Sequence, residues 1–126
     1  MSPDGMKVVG MYTERFNNLL QAKLPCGKIY MSPGFHVHIR KRHPDCIKYI
    51  DNIQAIISDP DYIGRNPKEP DSIELIKVFD KNIQVAIKLD TKEGYLYVAS
   101  LYDVVQDKVL RRVNSGRLLQ INKKQK

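Results

Sequence analysis

Every histidine of the chain, His36, His38 and His43, falls within eight residues, interleaved with Arg40, Lys41 and Arg42. Imidazole titrates near neutrality and can either take or give a proton, while guanidinium and ammonium groups neutralise charge that builds up on a phosphorane. Together these residue types point to metal-free cleavage of RNA. A His-x-His pair with a third histidine also suits zinc, but the cations beside it would repel a metal ion. No metal and no cofactor is therefore expected. Quieter readings stay open beside this one. His43 follows Phe35 and Ile39 along an apolar stripe and could be a buried histidine held by a backbone carbonyl, and His36 could be an ordinary surface residue.

The elements that must carry these side chains can be read from spacing. Ser32-Pro33 gives a hydroxyl cap followed by proline, which predicts a helix starting there and running to His43, where Pro44 marks a break. Pro44-Asp45 opens a second helix, with Ile47, Ile50, Ile53 and Ile57 as its apolar stripe, ended by Asp59-Pro60-Asp61. Upstream, Thr13 caps a short amphipathic helix through Phe16, Leu19 and Leu20, and Lys28–Met31 is extended. The Asp59–Asp71 stretch, with three prolines and Gly64, reads as a loop.

Beyond it the period falls to two. Ile83, Val85, Ile87 and Leu89 alternate with polar neighbours, and Asp90–Gly94 is a hairpin loop leading to a strand over Tyr95–Val104. With Ser72–Asp80 these make three sequential antiparallel strands. On the last, alternation puts Leu96, Val98, Ser100 and Tyr102 on one face and Tyr95, Tyr97, Ala99 and Leu101 on the other. Ser100 then interrupts an apolar face, either as a phosphate donor beside Tyr102 or as a satisfied hydroxyl. Lys88 is either a phosphate contact or an edge charge. Helices first and a meander after predict an α+β fold, N-terminal helices packed on one face of a twisted antiparallel sheet.

With 126 residues and 42% apolar content, a single domain over residues 1–126 is expected. Cys26 and Cys46 form no CxxC pair, and no apolar run is long enough to span a bilayer, so a cytoplasmic chain in a reducing compartment is expected, without membrane association. The formal charge is +7, concentrated in the histidine segment and in the C-terminal stretch with Lys108, Arg111, Arg112, Arg117, Lys123, Lys124 and Lys126. Segregated positive charge of this kind marks a polyanion-binding face, with Lys41, Arg42, Arg112 and Arg117 as phosphate contacts. Residues 120–126 read as a flexible basic tail. No glycine-rich phosphate cradle and no Gly-x-Ser-x-Gly elbow occurs, which removes the usual support for nucleotide hydrolases and esterases.

Several runs carry a resemblance: Ile29-Tyr-Met-Ser-Pro-Gly34, His38-Ile with Lys41-Arg-His-Pro44, Pro60-Asp-Tyr-Ile-Gly64, Ile87-Lys-Leu-Asp90, Tyr97-Val-Ala-Ser-Leu-Tyr102 and Ser115-Gly-Arg117. In this order they resemble the phage-associated branch of the Barnase–EndoU–Colicin–RelE-like nucleases, over roughly residues 8 to 119. The resemblance implies a RelE/barnase-like fold and metal-independent endoribonuclease activity, with His38, His43, Ser100, Tyr102 and Arg117 as the carried positions. Ser100 stands where related sequences often have threonine, which keeps the hydroxyl, and His36 has no counterpart. The expected reaction is attack of the ribose 2′-OH on the adjacent phosphate. His38 and His43 would move protons, Ser100 and Tyr102 would position the phosphate, and Lys41, Arg42, Lys88, Arg112 and Arg117 would bind RNA. Expected partners are RNA, tRNA among the candidates, and an inhibitor or antitoxin protein. The alternatives are a non-catalytic RNA-binding or toxin-regulatory module, or a structural phage-associated domain.

Overall fold

The computed structural model describes residues 5–121. In chain order its elements are β1 (Lys7–Tyr12), α1 (Glu14–Leu20), β2 (Gly27–Met31), α2 (Phe35–Arg42), a 3-10 segment (Pro44–Asn52), α3 (Ile53–Ser58), β3 (Tyr62–Gly64), β4 (Ser72–Val78), β5 (Asn82–Leu89), β6 (Leu96–Asp103), α4 (Gln106–Asn114) and β7 (Leu118–Gln120). The seven strands form one sheet in the order β1-β2-β6-β5-β4-β3-β7. All neighbours are antiparallel except β2 and β6, which run parallel and pair only at Ile29 with Leu96 and Tyr30 with Tyr97. The fold is thus α+β, with the expected three-stranded meander β4-β5-β6 at its centre.

Alternation explains the main core. Ile73 and Leu75 of β4, Ile83, Val85 and Ile87 of β5, and Leu96, Val98 and Leu101 of β6 face one way, against Phe16, Phe35, Ile39, Tyr49, Ile53 and Ile57 from the N-terminal helical segments. The opposite face carries a smaller cluster, in which Val109 of α4 packs with Ile76, Val104 and Leu118. Helices therefore cover both faces, not one as the sequence suggested. The reason is α4, whose Val109 and Val113, four residues apart inside a strongly basic stretch, pack against that face.

Four local readings need correction. The helix expected at Ser32-Pro33 begins two residues later: Ser32–Gly34 is a turn in which Phe35 N–H donates to the Ser32 carbonyl at 3.1 Å, and Gly34 is the N-cap. The second helix divides into a 3-10 stretch and the short α3. Within the supposed loop after Asp59, Tyr62–Gly64 is a strand held between β4 and β7. Gln120 belongs to β7, and Ile121 packs against the main core, so the tail cannot begin at 120; residues 122–126 lie outside the described residues. Thr13 does flank α1, without a side-chain capping bond. Both cysteines are free. Among the described residues no helix is long and apolar enough to cross a membrane.

Gly64 makes the β3–β7 junction possible. A Cβ there would collide with the Arg117 carbonyl oxygen and come within 2.7 Å of Leu118 Cδ2. Relief requires β7 to leave its partner, so Gly64→Ala should destabilise the protein by about 3 kcal/mol, at the upper end of overpacking costs. Chemical denaturation checks this; an unchanged midpoint would mean that β7 does not sit where it is described.

Candidate active site

The face of the meander away from the main core is built in rows. Cross-strand register sets Ser72 opposite Lys88 and Lys88 opposite Tyr97; Glu74 opposite Ala86 and Ala86 opposite Ser100; Ile76 opposite Gln84 and Gln84 opposite Tyr102. Successive rows on one face lie about 7 Å apart, two residues of strand rise. Lys88, Ala86, Tyr97, Ala99, Ser100 and Tyr102 are all half-buried, the condition of groups that line an open surface.

This arrangement depends on a β-bulge. The register of β5 against β6 shifts between Ala86 and Ile87, leaving Ala99 as an extra residue. Strict alternation had placed Ser100 and Tyr102 with Leu96 and Val98 and had grouped Leu101 with Tyr97. The observed core set is Leu96, Val98 and Leu101, so after the bulge the phase reverses and Tyr97, Ser100 and Tyr102 share the open face. One inserted residue flips every side chain beyond it.

The histidines reach this face from α2. Phe35 and Ile39 are buried and fix the rotation of the helix, leaving His36, Val37, His38, Arg40, Lys41 and Arg42 exposed. His38 lines a cavity of about 480 Å³ together with Lys88, Tyr97, Asp90 and Tyr95. His43 is the C-cap of α2, and its backbone N–H donates to the Ile39 carbonyl at 2.7 Å. Its half-buried ring stacks on that of Tyr102, centroids 5.3 Å apart at 28°. Five residues at about 1.5 Å each set the backbones of the two histidines roughly 7.5 Å apart along the helix axis. His38 therefore belongs to the Lys88–Tyr97 end of the face and His43 to the Gln84–Tyr102 end, with Ser100 in the row between. His36 is not among the residues brought to this cavity or to Tyr102.

The cations divide into two groups. Lys41 and Arg42 are exposed in the last turn of α2. Lys88 Nζ pairs with Glu69 at 2.6 Å across a partly exposed contact; the hydrogen bond from Lys88 to that carboxylate holds its ammonium above the ordinary lysine range, against a smaller opposing effect of burial. The two arginines are engaged within the protein. Arg117 grips the buried carboxylate of Glu74 in a bidentate pair, Nε to Oε1 at 3.1 Å and Nη2 to Oε2 at 2.6 Å. Arg112 is only 8% exposed and donates from Nη1 to Gln84 Oε1 at 3.0 Å. Neither presents the free guanidinium that a simple count of C-terminal charge implied.

Two participants escaped the sequence reading, Gln84 and Glu74. Both are buried polar residues on strands, and the available signal was only a polar residue in an otherwise apolar alternation. A tyrosine cluster was also missed: Tyr95 lies edge-on to Tyr30 and to Tyr97, with centroids 5.8 and 6.2 Å away. Among the described residues no group of three His, Cys, Asp or Glu side chains is placed to hold a metal ion.

The face thus brings His38 to Lys88 and His43 to Tyr102, with Ser100 in the row between, residue types that can exchange protons and hold an anion. A family model described as phage-Barnase-EndoU-ColicinE5/D-RelE like nuclease3 matches residues 6–111. No curated protein and no solved structure matches the chain.

Proposed function

The chain belongs to the phage-Barnase-EndoU-ColicinE5/D-RelE like nuclease family, and from that membership we propose that it is an endoribonuclease acting on single-stranded RNA through its own side chains. The observation that carries the reading is the pair of histidines at opposite ends of one half-buried sheet face, His38 beside Lys88 and His43 on Tyr102. One imidazole takes the proton of the ribose 2′-OH as that oxygen attacks phosphorus. The bond to the 5′-oxygen breaks, and the other acid/base group protonates the departing alkoxide, leaving a 2′,3′-cyclic phosphate and a 5′-OH. Lys88, Lys41 and Arg42 balance the charge of the phosphorane, while Ser100 and Tyr102 hold its oxygens.

Single strands suit the site because a cavity walled by Tyr95 and Tyr97 beside Lys88 offers an unpaired base an aromatic surface next to its phosphate. RNA competes with Glu69 for Lys88, which pairs with that carboxylate in the free protein.

The test is an end-mapped digest of a labelled RNA pool in excess EDTA. Cleavage should persist, confined to unpaired positions, with cyclic phosphate on the upstream fragment. Activity that vanishes on chelation and returns with one divalent ion would reject the side-chain mechanism. Binding without turnover would leave an RNA-binding module in its place.

A further inference from the structure

Gln84 lies at the centre of β5 with no solvent exposure, and both ends of its carboxamide are occupied. Arg112 Nη1 donates to its Oε1 at 3.0 Å, and its Nε2 donates to the Tyr102 phenol oxygen at 2.7 Å. A guanidinium has donors only, so the carbonyl must face Arg112 and the NH₂ must face Tyr102; the opposite orientation would set two donors against each other. With one side of its oxygen already accepting from Gln84, the phenol must direct its own proton elsewhere. The end of Gln84 that meets the phenol is its NH₂, which cannot accept that proton, and the half-buried Tyr102 lies in the row next to that of Ser100.

We propose that Arg112 and Gln84 are positioning residues that oblige Tyr102 to act as a hydrogen-bond donor to a phosphate oxygen on the open face. The proposal deepens, and rests on, the nuclease reading. It also gives a use to two buried polar groups, because an arginine and a glutamine cost free energy to bury and an apolar pair would anchor α4 on the sheet as well. Arg112 does not touch RNA here; it sets the direction of a hydrogen bond two side chains away.

Gln84→Glu is the discriminating substitution. It keeps the size of the side chain and its pairing with Arg112, but a carboxylate accepts from both neighbours and turns the Tyr102 proton inward. Tyr102→Phe removes the same proton outright. Each should slow single-turnover cleavage by roughly 10- to 100-fold, the range for a hydrogen bond to a charged group. In the Tyr102→Phe background Gln84→Glu should add nothing. Arg112→Lys, which retains a donor, should keep most of the activity that Arg112→Met loses.

The same variants are titrated with a 2′-O-methylated single-stranded oligonucleotide, which binds but cannot be cut, and roughly tenfold weaker binding is expected for Tyr102→Phe and Gln84→Glu alike. If the wild type fails to cleave RNA yet this binding pattern holds, the nuclease reading falls and the Arg112–Gln84 assignment stands. Wild-type behaviour of Gln84→Glu in both assays overturns the assignment. So does a Gln84→Glu loss that persists in full without the Tyr102 hydroxyl, since that would be a general charge effect. Should Gln84→Glu fail to fold, the Arg112→Lys and Arg112→Met pair decides: equal activity in both rejects the relay.

Discussion

An RNA carrying one 2′-deoxyribose on the 5′ side of the mapped cut should survive at that bond while neighbouring sites are still cut. The expected loss is the largest of any substitution considered, because it removes the nucleophile itself and leaves both imidazoles, the cations and the phosphate as they were. Affinity should change little, since on the proposed reading the RNA is held by its phosphate, by Lys88 and by the tyrosine-walled cavity. The measurement is fragment mapping of paired ribose and deoxyribose oligonucleotides. Cleavage of the deoxy substrate at the same bond would mean that water attacks directly, and the cyclic-phosphate route would be wrong.

The second large effect is expected at the histidines. His38→Ala and His43→Ala should each lower single-turnover cleavage by roughly 10²-fold or more, the usual scale of general acid–base catalysis, with RNA binding retained. His43 needs a further control because its ring stacks on Tyr102, and alanine removes packing together with the proton-transfer group. His43→Phe keeps an aromatic ring there and abolishes proton transfer. It should melt close to the wild type and still be slow. His36→Ala should cut nearly normally. The rate-versus-pH profile should be bell-shaped for the wild type and lose a limb in one or both variants; the apparent values belong to the interacting groups jointly. Wild-type turnover by His43→Phe would assign that histidine a packing role alone.

What the sequence disclosed followed from how far local periodicity dictates structure. The meander was legible because Ile83, Val85 and Ile87 alternate without interruption, and α2 was legible because Pro44 bounds it and Phe35 and Ile39 mark its buried side. The bulge at Ala99 was not, since an extra residue leaves no mark in a run of β-formers and shows only once a partner strand supplies the register. Four elements, β1, β3, α4 and β7, were missed for related reasons. β1 contains Gly10, where a Cβ would collide with Ile57, and a glycine within a short run gives no strand signal. β3 is three residues long beside prolines, and the small apolar stripe of α4 is hidden among cations. The histidine pair, Ser100 and Tyr102 could be nominated from residue type, whereas the commitments of Arg112 to Gln84 and of Arg117 to Glu74 are tertiary contacts 28 and 43 residues apart in sequence.

The parallel seam of two residue pairs between β2 and β6 has a consequence for when the protein acquires its activity. His38 and His43 follow soon after Ile29, Lys88 lies on β5 far along the loop that the seam closes, and Ser100 and Tyr102 are on β6 itself. Joining Ile29 to Leu96 closes a long loop, and such distant pairings are slow relative to hairpins and helices. A chain of which only the first half has been made therefore has His38 and His43 without the face that carries Lys88, Ser100 and Tyr102. On the proposed mechanism, cleavage should begin only once β6 has docked on β2, so a partly synthesised chain should be inactive toward RNA.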